Sequence, residues 1–148
     1  MKILLFLTLV VLPAAVNNVQ AAEYNIEELR SNTAGIKPFS ITEVEQQSGE
    51  LRLFIQTNNI AQIQRLITNG SLSAQYSDGD DALTVPLSLF KAVTCDDGTT
   101  HHLGYSAQMP NCEIRQTRYY MRTPVTLGPG CDLAIGLDPD FIWLVERR

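Results

Sequence analysis

The apolar residues of this chain change their period once, near Leu72, and that change restricts the fold more than any other feature. Before Gly70 they recur mainly at three- and four-residue spacing; from Leu72 onward they alternate with polar residues. A helix buries a stripe with a 3.6-residue period and a strand buries every second residue, so one pattern cannot serve both. The pattern predicts an α+β chain, with a helical part over 23–70 and a β part over 72–148. An N-terminal helical hairpin would pack on a C-terminal antiparallel sheet of about five strands.

The helical reading rests on local signals. Tyr24–Arg30 has room for one or two turns, and residues 31–39 form a linker containing Gly35 and Pro38. Ser40 and Glu43 have the spacing of a capping box, in which hydroxyl and carboxylate satisfy the first free amides reciprocally. Val44, Leu51, Phe54 and Ile55 continue at near-helical spacing, and Ser48-Gly49 splits the segment. Asn58 or Asn59 then caps a second helix whose apolar positions are Ile60, Ile63, Leu66 and Ile67. Gly70 stands where a left-handed residue ends a helix. These signals predict the hairpin over 49–69.

In the β part, Leu83, Val85, Leu87 and Leu89 alternate with polar or turn-forming residues through residue 90, and Pro86 places that strand at an edge. Asp96-Asp97-Gly98-Thr99 has hairpin-turn composition and is followed by a strand over 100–108. A turn at Met109-Pro110-Asn111 precedes a strand over 113–122. Shorter strands are expected at 133–137 and 141–145.

The N-terminus supplies a second constraint. Lys2 precedes the apolar run Ile3–Leu12, and Val19 and Ala21 occupy the −3 and −1 positions of a cleavage site after Ala21. This layout is that of a signal peptide over 1–21, because a membrane span takes roughly 20 apolar residues. The expectation is a single mature domain over 22–148, secreted or periplasmic, with no membrane span. Cleavage removes one charge, Lys2, so the net charge of −5 becomes −6. With no basic excess, nucleic acid is excluded as a partner. The apolar share of 45% is ample for a core.

Three cysteines, Cys95, Cys112 and Cys131, all lie in the β part. An exported chain with three would form one disulfide and keep one thiol. If 83–122 is a meander, Cys95 and Cys112 sit at opposite ends of a strand of about eight residues, roughly 25 Å apart at 3.3 Å per residue. A bridge needs Cα atoms within about 7 Å. The third strand runs back toward the first turn, so the expected pair is Cys95–Cys131, with Cys112–Cys131 next if Val125–Leu127 returns along the sheet.

His101 and His102 are the two histidines of the chain. Adjacent residues on a strand point to opposite faces, so they are poor joint ligands for one ion. No metal, cofactor or catalytic set is expected: the chain has no GxSxG elbow, HExxH motif, CxxC pair or dinucleotide fingerprint. The segment Arg115–Arg122 is the most unusual. It alternates so that Arg118, Tyr120 and Arg122 share one face and Thr117, Tyr119 and Met121 the other. Arginine and tyrosine combine flat contact area with directional donors and are enriched at binding hot spots. These three are the candidate binding residues, for another protein or an anionic ligand; the alternative is a solvated face whose arginines pair with neighbouring carboxylates. The functional expectation is an exported soluble binding protein without catalysis, an inhibitor, adaptor or secreted effector. The competing expectation is a small secreted hydrolase or metal-dependent enzyme using His101 or His102.

Overall fold

Two apolar sets on either side of a glycine turn make 40–56 a β-hairpin. Val44 faces Leu53 across the pair, and Ser48-Gly49 closes it with Gly49 at φ +73°. That region of φ carries little penalty only without a Cβ. The computed structural model describes residues 23–30, 35–138 and 140–148. The expected signal peptide over 1–21 lies outside the described residues. The strands are β1 (Tyr24–Arg30), β2 (Ser40–Gln47), β3 (Glu50–Gln56), β4 (Leu72–Ser77), β5 (Ala82–Val85), β6 (Ser88–Cys95), β7 (Thr100–Gly104), β8 (Ile114–Thr123), β9 (Asp132–Leu137) and β10 (Phe141–Arg147). One helix, α1 (Ile60–Thr68), stands between β3 and β4.

Among the described residues the α+β expectation is thus corrected to a mostly β fold with one short helix, and the helical hairpin over 49–69 keeps only its second half. These residues form two antiparallel sheets, each of five strands. Sheet A has the order β1-β10-β9-β4-β5, and sheet B the order β2-β3-β8-β6-β7. Their inner faces build one core. Leu51, Leu53, Ile55, Leu89 and Met121 come from sheet B; Leu72, Ala74, Leu133, Ile135, Trp143 and Val145 come from sheet A. This is the layering of a β-sandwich, in which each strand buries alternate residues. Trp143 is fully buried and stacks on Phe39 at 4.2 Å between ring centroids. The N-terminal strand β1 pairs with the C-terminal β10 along their whole length, which ties the start of the described chain to its end.

Helix α1 obeys the caps read from the sequence. Asn59 Oδ1 accepts from the Gln62 amide at 3.1 Å, and Gly70 follows at φ +80°. Ile63 is completely buried, with Ile60, Leu66 and Ile67 beside it on the common core. The expected strand over 83–90 is two strands, because the chain leaves sheet A at Pro86-Leu87 and enters sheet B.

The disulfide expectation is also corrected. Cys95 pairs with Cys112, at a Cα separation of 5.9 Å. The assumed meander fails at β7, which stops at Gly104. The chain then leaves the sheet, and β8 lies along the far side of β6 instead of beside β7. Residues 105–113 carry the chain back the length of the sheet, so Ile114 opens β8 opposite Cys95. The buried Lys91 fixes this return segment by donating to the carbonyls of Tyr105 and Ala107, at 3.1 and 2.6 Å. Cys131 remains a thiol, and its Sγ accepts from the Tyr76 hydroxyl at 3.3 Å. That bond and partial burial raise the Tyr76 phenol above its ordinary range. No helix among the described residues is long and apolar enough to cross a membrane.

Candidate functional site

The outer face of sheet B carries the densest chemistry among the described residues. Register places Phe54 of β3, Tyr120 of β8 and Phe90 of β6 directly across from one another. Tyr120 lies 4.9 Å from Phe54 and 5.8 Å from Phe90, measured between ring centroids. An outward face of a sheet normally meets water, yet Tyr120 is 1% exposed and Phe54 3%. A layer of side chains covers them.

That layer is cationic. The Arg118 guanidinium carbon sits 4.0 Å from the Phe54 ring centre, Arg122 4.3 Å from Phe90, and Arg52 5.5 Å from Tyr120. Each such contact contributes about 0.5–2 kcal/mol, depending on how far the cation is desolvated. Carboxylates form a third layer. Glu43 accepts from Arg118 Nη2 at 2.6 Å, Glu50 from Arg52 Nε at 2.7 Å, and Glu45 and Glu50 stand 3.6 and 3.5 Å from Arg52 and Arg122. Partly exposed pairs of this kind add at most about 1 kcal/mol each. Their effect here is positional, since every guanidinium is held from below by a ring and from the side by a carboxylate.

His102 of β7 completes the arrangement. Its Nδ1 is 3.0 Å from the Tyr120 hydroxyl, and its ring meets Tyr120 edge-on at 5.8 Å. Arg52 and His102 therefore reach the same phenol from opposite flanks of the sheet. Partial burial, and then the positive charge of Arg52, hold the imidazole below its ordinary range. Burial raises the Tyr120 phenol. At neutral pH both groups are thus uncharged, and the imidazole's tautomer sets which of Nδ1 and the hydroxyl donates.

Between Arg118 and His102 the cross-strand neighbour is Ala92. Its small side chain leaves a cleft of about 550 Å³. Arg52 and Arg118 form its cationic wall, Glu45 is its one acidic liner, and Thr94, Thr100 and Gln116 supply neutral hydroxyl and amide groups. Both arginines of the cleft are already paired, Arg118 with Glu43 and Arg52 with Glu45 and Glu50, so the site holds charges of both signs.

The structure places Arg118, Tyr120 and Arg122 on this outer face, with Tyr119 and Met121 turned toward the core. Tyr120 is a correction to the expected contact strip: it is the buried centre of the face and offers a partner almost no surface. Arg118 and Arg122 both pair with carboxylates, as the solvated-face alternative describes. His101 and His102 diverge, His101 lying opposite the buried Val93 and His102 opposite Ala92. Among the described residues no three His, Cys, Asp or Glu side chains converge to hold a metal ion. The sequence reading missed Glu43, Glu45, Arg52 and Phe54 because it assigned 40–56 to a helix. The turn dipeptide Ser48-Gly49, flanked by Glu43, Glu45, Arg52 and Phe54 in alternation, is the signal that would have found them.

Compared with protein-family models, curated proteins and solved structures, the chain matches none.

Proposed function

We propose that the protein is an exported, non-catalytic binding protein that receives an anionic group on the outer face of sheet B. The carrying observation is the three-layered stack of ring, guanidinium and carboxylate beside an arginine-lined cleft. Two features give that stack a use in binding. Guanidiniums pinned over rings lose little rotamer freedom when a ligand arrives, so less of the interaction energy goes into ordering them. Each also keeps N–H donors beyond those bonded to glutamate, since a guanidinium carries five. Export is supported by the signal-peptide pattern of residues 1–21 and by the Cys95–Cys112 bridge, which suits an oxidising compartment.

The test is competition between an added anion and the glutamates. Citrate, titrated into mature protein by calorimetry at low salt, should bind, and Arg52→Ala with Arg118→Ala should weaken it at least about tenfold, or 1.4 kcal/mol. Arg65→Ala, on exposed α1, should leave the titration unchanged. Equal loss at Arg65 and at the sheet B pair would show that only diffuse charge is being measured.

A further inference from the structure

Resting on the anionic-face reading, we infer that the ligand of the sheet B cleft is an acidic sugar: a ring bearing one carboxylate and several hydroxyls, as in a uronic acid unit of a polysaccharide. The argument is the distribution of donors and acceptors over the cleft floor. Two adjacent cross-strand rows form it. One runs Arg118–Ala92–His102 and the next Gln116–Thr94–Thr100. Arg118 and His102 stand two strand spacings apart, about 10 Å, across the shallow Ala92. This is room for a single sugar ring lying on the sheet, with the cation at one side.

The arginines stand at one side of the cleft and, apart from Glu45, its other polar liners are neutral. Arg118 gives Nη2 to Glu43 and has further N–H donors for a carboxylate. One row away, Thr94 and Thr100 hydroxyls lie 3.1 Å apart and bond each other, with the Gln116 amide beside Thr94 in register. Hydroxyl and amide side chains both donate and accept, as sugar hydroxyls do. An acidic side chain alone would use the arginine and leave this second row unmatched. The rings of Phe54 and Tyr120 are already covered, so no apolar pocket awaits a peptide side chain.

The experiment titrates mature protein with three probes: trigalacturonic acid, its neutral counterpart galactotriose, and a tetraglutamate peptide. Backbone amide shifts locate each one. The expected result is that trigalacturonic acid moves signals in β6, β7 and β8, and binds at least tenfold more tightly than galactotriose and tetraglutamate. Thr100→Ala and Gln116→Ala change exposed side chains, so both variants should melt with the wild type. Each should weaken trigalacturonic acid about three- to tenfold, a larger loss than the same variant causes for citrate. The sugar assignment is overturned if galactotriose binds as well as the acid, if tetraglutamate binds as well or better, or if no saccharide binds. A tetraglutamate response on these same strands would leave the anionic face standing and remove the sugar alone. Shifts from every anion confined to other surfaces would remove both.

Discussion

The two sheets share an architecture and differ on their outward faces. Sheet A presents an ordinary one. Along one row, Leu29, Ile142, Gly136 and Ser73 lie opposite each other, with Leu29 and Ile142 47% and 46% exposed. A depression of about 310 Å³ opens there, lined mainly by apolar groups. Among the described residues, the outward aromatic row of sheet B is buried under the sheet's own arginines, glutamates and His102. The same strand geometry thus gives a passive surface on one side and a layered, preorganised one on the other. Burial on a sheet's outward face is expensive in ordered long side chains, and its presence marks where the chain has concentrated directional chemistry.

The largest test of that contrast is truncation of the ring at the centre of the sheet B face. Tyr120→Ala should cost about 3 kcal/mol, as for an aromatic removed from a core, whereas Ile142→Ala on sheet A should cost less than about 1 kcal/mol. Equal, small losses in denaturant melts would mean the outer aromatic row is not a packed layer. The Cys95–Cys112 bridge is confined to sheet B and its return segment. Replacing both cysteines with Ala should cost about 3 kcal/mol, given the 17-residue separation. Hydrogen exchange should then quicken first at the β6–β8 end and leave β9 and β10 protected; uniform acceleration would contradict this division.

How much of this was legible depended on whether the deciding contacts were local. The Asn59 cap, the Gly70 stop and the Asp96–Thr99 turn involve neighbours in sequence, and the pattern contained them. The alternation of Arg118, Tyr120 and Arg122 against Tyr119 and Met121 was equally visible, since a ten-residue strand displays its own two faces. The β2–β3 hairpin was not. Phe54 is buried outward between Leu53 and Ile55 buried inward, so the apolar residues run together and lose the period of two. A bulge between Ile41 and Glu43 blurs β2 in the same way. The burial of Tyr120 escaped the sequence because its cover comes from β2, β3 and β7. The disulfide was missed for a related reason: the placing of β8 beside β6 is a choice of topology that no short stretch of sequence encodes.

A pH titration sharpens the comparison further, because both histidines of the chain lie on β7 in sheet B. The folded His102 binds its proton less readily than an unfolded histidine, whose pKa is about 6.5. Its stabilising contribution is therefore complete above that value and declines as the pH falls through the lower folded pKa. His102→Gln should flatten the fall in stability between about pH 7 and 5, relative to wild type. Parallel curves would show that the imidazole is not held neutral by its site. The smallest effect is expected at the rim of the stack. Arg122→Ala should cost less than about 1 kcal/mol in thermal melts, since its pairing with Glu50 and Phe90 is partly solvated. A larger loss would assign the arginines mainly to stability.

The most direct test of the central claim maps an anion onto the two faces. Isotope-labelled mature protein is titrated with citrate at low salt while the backbone amides and arginine Nε–H signals are followed. The account predicts saturable shifts at Arg52, Arg118 and the strands β3, β6, β7 and β8, with sheet A silent. Shifts spread evenly over both sheets, or confined to the β1–β10 side, would contradict it.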